Sequence, residues 1–199
     1  MCLSVRNFER FSLTIARWFP GLLIQRSKPG NYTTRGDATN FPTVGLYDGV
    51  FRQNLEETGM GYALEVEMIR LAHERDLLTT PYVFDSAQAA AMTEAGADVL
   101  VAHMGLTSSG TIGAKTTLTL DEAVTRVQRI ADAAHAIRPD VIVLCHGGPI
   151  AGPDDAKYVL DRTTSVDGFF GASSIERLPT EIAITEQTRR FTSLTVGKS

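Results

Sequence analysis

Short apolar runs alternating with segments of helical period, and histidines and glycines gathered at the ends of the later runs, predict an α/β fold with a parallel sheet, of the TIM (β/α)8-barrel type. FPTVGL (41–46), TTPYVF (79–84), DVLVAH (98–103), VIVLCH (141–146) and VDGFFG (166–171) lack clean polar alternation and read as strands buried on both faces. A barrel collects its chemistry at the C-terminal strand ends, often with a phosphate site after the last two strands. Here the last two runs end in His146-Gly147-Gly148 and Gly171-Ala172-Ser173-Ser174, which favours the barrel over an open doubly wound sheet.

Each intervening segment has a helical reason. Leu64, Met68, Leu71 and Ala72 share one side of a helix over 64–73. Asp85 or Ser86 can cap a short alanine-rich helix that stops at Gly96. Thr119 and Glu122 form a capping box, followed by Leu120, Ala123, Val124, Val127, Ala131 and Ala134 at helical spacing, up to Arg138-Pro139. Pro153 and Pro179 stand where first helical turns would start, ahead of 156–160 and 182–191.

A complete barrel takes about 250 residues and eight strands, whereas this chain has 199 residues and five βα units after residue 40. The expectation is an incomplete barrel over 40–199, with 1–39 as a divergent basic leader. Its parallel edges would stay open unless the leader, a second copy in a homo-oligomer or another chain covers them. Residues 1–36 carry Arg6, Arg10, Arg17, Arg26, Lys28 and Arg35 against Glu9, a net +5 that leaves −9 for the remainder. With Phe8, Phe11, Ile15 and Trp18 interleaved, this segment has the composition either of an organellar transit peptide or of a leader without address function. A cytoplasmic location is the expectation.

The overall charge of −4 argues against a nucleic-acid binder, which would need a basic stripe. No stretch reaches the roughly 18 to 20 apolar residues that span a bilayer. Cys2 and Cys145 are too few for a disulfide framework, and Cys145, inside an apolar run, reads as a buried thiol.

His103 and His146 end consecutive runs in matching positions, VAHMG and LCHGG, and both are expected to look into the barrel mouth. Neutral imidazole there can donate to a carbonyl, act as acid or base, or ligate a metal. Zinc is disfavoured, since neither HExxH nor a cysteine pair accompanies them. His73 and His135 lie on helices and read as surface residues. Gly147 and Gly148 can adopt positive φ and offer amides to an anion, and Gly171, Ser173 and Ser174 supply a second set of donors. Together they predict a cradle for a small anionic metabolite, with simple chain reversal as the alternative.

YDGVFRQNLEETGMGY (47–62) reads as a polar loop with glycine hinges. Glu56 or Glu57 could serve as a general base and Arg52 as a carboxylate clamp. SSGTIGAKTT (108–117) fails the Walker pattern, which needs glycine where Ser109 and Ala114 stand, though Lys115 could still swing toward an anion.

With these residues in view, NFPTVGLYDGVFRQNLEETGMGY, TTPYVFD, VAHMGLT, VIVLCHGGPIAGPDDA and GFFGASSIERLPTEIAITEQ resemble the phosphoenolpyruvate hydrolase-like TIM-barrel family, also described as a TIM-barrel signal-transduction domain. The resemblance runs from about Asn40 to about Leu194, and residues 1–39 look unrelated to it. It implies candidate functional positions at Asn54, Glu56, Glu57, His103, His146, Gly147, Gly148, Gly171, Ser173, Ser174 and Glu176. The implied activity is hydrolysis or lyase-type chemistry on a small phosphorylated or 2-oxo acid such as phosphoenolpyruvate or phosphonopyruvate. Characterised phosphonopyruvate-type barrels use a divalent metal, which makes Mg2+ the candidate here, but the sequence has no acidic cluster that places one. The alternatives are a sensing module that binds the acid without turnover, and a truncated, inactive piece of such a protein.

Overall fold

The computed structural model describes residues 3–5, 37–40, 44–115 and 118–194. In chain order these form β1 (Leu3–Val5), β2 (Asp37–Ala38), a 3-10 turn (Val44–Leu46), α1 (Gly49–Glu57), α2 (Tyr62–Glu74), β3 (Leu78–Thr79), β4 (Tyr82–Val83), α3 (Ser86–Glu94), β5 (Val99–His103), α4 (Leu120–Ile137), β6 (Ile142–His146), α5 (Pro153–Arg162), β7 (Gly168–Phe170) and α6 (Arg177–Thr192).

β4, β5, β6 and β7 lie side by side, parallel and in chain order. β3 pairs in parallel with β2 and runs almost directly into β4, so residues 78–83 act as one extended segment interrupted at Thr80-Pro81. Proline has no N–H to give a ladder. Pro81 still accepts through its carbonyl from the Val101 amide at 2.9 Å, and the Thr80 amide donates to Ala38 at 2.9 Å. The segment therefore hands its pairing from β2 to β5 without leaving the wall.

The two faces of this wall differ. Leu100, Ala102, Val143 and Cys145 pack with Ile69, Met92, Val127, Ile130 and Val159 of the helices. Val99, Val101, Leu144, Phe170 and Leu78 form a second, smaller cluster on the opposite strand parity, with no helical residue in it. Strands in sequential order with their helices on one side are the wall of a barrel, since a doubly wound sheet reverses its order and covers both faces. The α/β barrel-type expectation is met as an arc of that wall.

The strongest local signals hold. Thr119 and Glu122 make the reciprocal capping box of α4, Asp85 accepts from the Gln88 amide at 2.8 Å ahead of α3, and Pro153 opens α5. Cys145 is buried, and burial pushes its thiol up to about 12.

Four expectations are corrected. Within 41–46, Val44–Leu46 is a 3-10 turn rather than strand, and 41–43 lie outside the described residues. The supposed loop 47–62 is mostly helix α1 and the approach to α2, stitched by Arg52 to Glu56 at 2.6 Å and Gln53 to Glu57 at 2.8 Å. α6 begins two residues before Pro179. His135 is only half exposed; its Nε2 bonds the Val141 carbonyl at 2.9 Å, while Nδ1 is buried without a described partner.

At the β7 edge, β1 pairs antiparallel, with Leu3 opposite Phe170 and Val5 opposite Gly168. Residues of the expected leader thus cover one edge that the sequence reading left open. The transit-like features between Arg6 and Arg35 lie outside the described residues.

Candidate functional site

Equal parity and parallel register bring two imidazoles together. His103 and His146 are register partners at the last positions of β5 and β6, on the same strand face as Val101 and Leu144. Their ring centroids are 4.8 Å apart and nearly perpendicular, at 75°. Both are buried, at 5% and 8% exposure. Tyr82 from β4 lies 5.2 Å from the His103 ring and 5.3 Å from that of His146. Phe84 stands 5.0 Å from His103, and Phe170 of β7 stands 5.6 Å from His146. Phe84 reaches that place because Gly45 has no side chain: a Cβ there would fall 2.0 Å from the ring.

The two imidazoles have opposite hydrogen-bond assignments. The Gly105 amide donates to His103 Nδ1 at 3.0 Å, which places the proton of neutral His103 on Nε2. His146 faces the Phe170 carbonyl through Nδ1 at 2.7 Å; a carbonyl only accepts, so Nδ1 carries the proton and Nε2 keeps its lone pair. Burial, with the neighbouring His146 as a lesser cause, pulls His103 down to about 3. His146 is also lowered by burial, opposed by its bond to Phe170. Both are neutral at pH 7, one a donor through Nε2 and the other an acceptor.

The glycines after His146 fit the strand ends together. Gly147 and Gly148 have φ of 72° and 58°, and a Cβ on them would lie 2.5 Å from the Gly105 carbonyl and 2.4 Å from that of Met104. The Gly148 amide donates to the Gly105 carbonyl at 2.7 Å, and the Met104 amide to the His146 carbonyl at 2.8 Å. That lock holds the Gly105 amide under His103. The Gly148 amide is therefore already engaged, leaving less of the expected anion cradle on this turn. After β7, the Ala172 carbonyl accepts from Ile175 and Glu176, and the Ser173 carbonyl from Arg177 and Leu178. These bonds wind the turn of Gly171, Ser173 and Ser174 into α6. Gly171 is needed for closeness, since a Cβ would meet Ile175 at 2.4 Å.

The remaining candidates sit apart from the pair. Asn54, Glu56 and Glu57 are exposed on α1, and Arg52 is held by Glu56 and by the Val44 carbonyl at 2.8 Å. Lys115 is exposed at the end of a loop that α6 anchors, Arg177 donating to the Ser109 carbonyl at 3.0 Å and the Thr111 amide to Glu181 at 3.0 Å. Glu176 is exposed, yet its charge helps burial, the larger cause, to raise the Tyr82 phenol.

Two residues absent from the sequence reading matter. Asn40, 2% exposed, accepts from the Tyr82 amide at 2.7 Å and donates to the Tyr82 carbonyl at 3.2 Å, so its side-chain amide stands in for a strand neighbour. The Tyr62 hydroxyl adds a bond to the same carbonyl at 2.7 Å. Asn40 also donates to Glu65 at 2.5 Å. Glu65 was legible in principle, as an acid on the helix stripe between buried Tyr62 and Ile69. Asn40, before a proline-containing run, gives no such signal.

Among the described residues no group of three or more His, Cys, Asp or Glu converges as a metal site. Magnesium takes oxygen ligands, and two imidazoles beside a phenol do not fit it. No described helix is long and apolar enough to cross a membrane.

A sequence model described as phosphoenolpyruvate hydrolase-like matches residues 35–194. The ToMV susceptible protein tm-1(GCR26) of Solanum lycopersicum is 67% identical over 157 residues, covering 79% of this chain and 21% of that protein. A protein of Sinorhizobium fredii (strain NBRC 101917 / NGR234) named "Putative transcriptional regulatory protein y4pA" is 35% identical over 159 residues, 80% of this chain and 26% of its own length. The chain thus spans about a fifth to a quarter of the length of these relatives. Among solved structures, the N-acetylmannosamine-6-phosphate 2-epimerase from Clostridium perfringens superposes with a TM-score of 0.39 at 15% identity, over 65% of this chain and 48% of that one.

Proposed function

From the premise that this chain belongs to the phosphoenolpyruvate hydrolase-like family, we propose that His103 and His146 work as a donor and acceptor pair on a small phosphorylated or 2-oxo acid of the phosphoenolpyruvate or phosphonopyruvate class. The observation that carries this reading is the opposed assignment of two neutral imidazoles 4.8 Å apart. His103 Nε2–H can donate to an oxo or enol oxygen as negative charge develops there, and His146 Nε2 can take a proton from attacking water. The water-activating role expected of Glu56 or Glu57 passes in this reading to His146, because those carboxylates bond Arg52 and Gln53 on the exposed face of α1. The phosphate would rest on the turn of Gly171, Ser173 and Ser174 through the serine hydroxyls, since the amides of residues 175–178 already bond the Ala172 and Ser173 carbonyls. Gly147 would add its amide. Glu176 would repel that anion, which directs the phosphate toward the serines.

The test is turnover of phosphoenolpyruvate and phosphonopyruvate by the full chain, compared with His103→Gln and His146→Gln. Product formation abolished by either substitution, with the melting curve retained, is the expected result. Turnover unchanged by both would remove the pair from the chemistry.

A second reading is favoured by the name of the 35% identical relative, a regulatory protein. There the same pair binds the acid without consuming it, and saturable binding without product would distinguish it. In either reading a cytoplasmic setting suits a metabolite ligand. Self-association would draw on Ile182, Ile184 and Phe191, exposed on α6, a helix without a buried residue.

A further inference from the structure

A cleft of about 570 Å³ opens between α1 and α2, and none of its lining residues belongs to the histidine pair. Its walls are apolar: Phe51, Leu55, Met60, Leu64 and Met68, with Tyr47 packed edge-on against Phe51 at 5.0 Å between centroids. Several of these stay wet, Phe51 at 56% exposure and Met60 and Leu64 similarly, so a ligand seated there would cover apolar surface.

The floor is polar and one-sided. Asn40 gives its amide protons to Glu65 and to the Tyr82 carbonyl, and its oxygen accepts from the Tyr82 amide. The Thr39 hydroxyl donates to the Thr80 carbonyl at 2.8 Å. Side-chain donors at the floor are thus engaged. Glu65 uses Oε2 for Asn40, and Oε1 has no described partner. What the floor presents is a half-buried carboxylate oxygen; burial, the largest cause, raises its pKa against the Asn40 hydrogen bond and the Arg52 charge, which pull it down. The nearby cation, Arg52, is turned to Glu56 and the Val44 carbonyl.

We infer that this cleft is a second binding site, for a small amphipathic ammonium: a protonated amine carried by an aromatic or branched apolar body. The ammonium would donate to Glu65 Oε1, and the body would lie against Phe51, Met60 and Leu64. Tyr47 and Phe51 place aromatic rings on the cleft wall, of the kind that attracts a cation. The chemistry is opposite to that of the histidine pair, since the acidic floor turns phosphorylated acids away. The inference does not depend on the proposed reaction.

The test is titration calorimetry of the full chain with 2-phenylethylammonium, its uncharged counterpart 2-phenylethanol, and phosphoenolpyruvate. Expected is saturable binding of the ammonium, binding of the alcohol weaker by about tenfold or more, and no competition from phosphoenolpyruvate. Glu65→Gln should weaken the ammonium about tenfold or more. Should that variant fold poorly, Phe51→Lys, at a largely exposed position, places a rival cation beside the cleft and should abolish binding while the chain keeps a cooperative melting transition. No saturable ammonium binding, equal binding of the alcohol, or full affinity in Phe51→Lys would each overturn the site.

Discussion

Lowering the pH from 7 to 5 should destabilise this fold through its buried histidines. His103 titrates at about 3 in the folded chain against 6.5 as a free side chain. Between those values the unfolded chain binds the proton and the folded chain does not, so stability falls as pH drops below 6.5. Integrated from pH 7 to 5, one such histidine costs about 2 kcal/mol. His146 is shifted in the same direction and adds to the loss. The lowered carboxyls of Glu67, Glu122 and Glu181 act below the ordinary carboxylate range and contribute little in this window. Urea unfolding at pH 7 and pH 5 measures the loss, for the natural chain and for His103→Asn with His146→Gln. The natural chain should lose at least about 2 kcal/mol more than the double variant. Equal losses would refute the reasoning, because they would mean that the imidazoles accept protons in the folded state as readily as in the unfolded one.

Other perturbations follow from the same contacts. Asn40→Ala strands the Tyr82 amide and leaves the Glu65 carboxylate without its donor, which should cost about 3 kcal/mol in urea unfolding. Gly148→Ala forces a side chain into a φ of 58° with Cβ 2.4 Å from the Met104 carbonyl, and should lower thermal stability by about 3 kcal/mol or more. Thr119→Ala removes one half of the α4 capping box, for about 1 kcal/mol, and should leave ligand binding untouched. Glu176→Gln should bring the Tyr82 phenol back toward its ordinary value, visible in ultraviolet titration, while burial keeps it partly raised.

Much of the barrel wall is readable in the chain because β5, β6 and β7 are short apolar runs whose neighbours are strongly capped helices. His103 and His146 were legible as a pair for a related reason: each is the last residue of its run, and parallel neighbours in register align such ends. The opposed proton positions were not, because they depend on a backbone amide and a backbone carbonyl supplied by the turn after β5 and by β7. Gly147 and Gly148 carried a genuine signal for positive φ, but the same signal suits an anion cradle and a tight lock between two turns. Only the position of Gly105 separates them. In 47–62 the polar composition masked a helix whose stitching was present at Arg52 with Glu56 and Gln53 with Glu57. Asn40 is the least legible, since its partner Tyr82 lies about forty residues away in sequence.

The most direct measurement is nitrogen NMR of the imidazoles in the full chain at pH 7, with and without phosphoenolpyruvate. His103 should carry its proton on Nε2 and His146 on Nδ1, both neutral, and the Nε2 signals of both should move when the acid binds. Two histidines with the same proton position, or signals indifferent to saturating phosphoenolpyruvate, would contradict a donor and acceptor pair at this site.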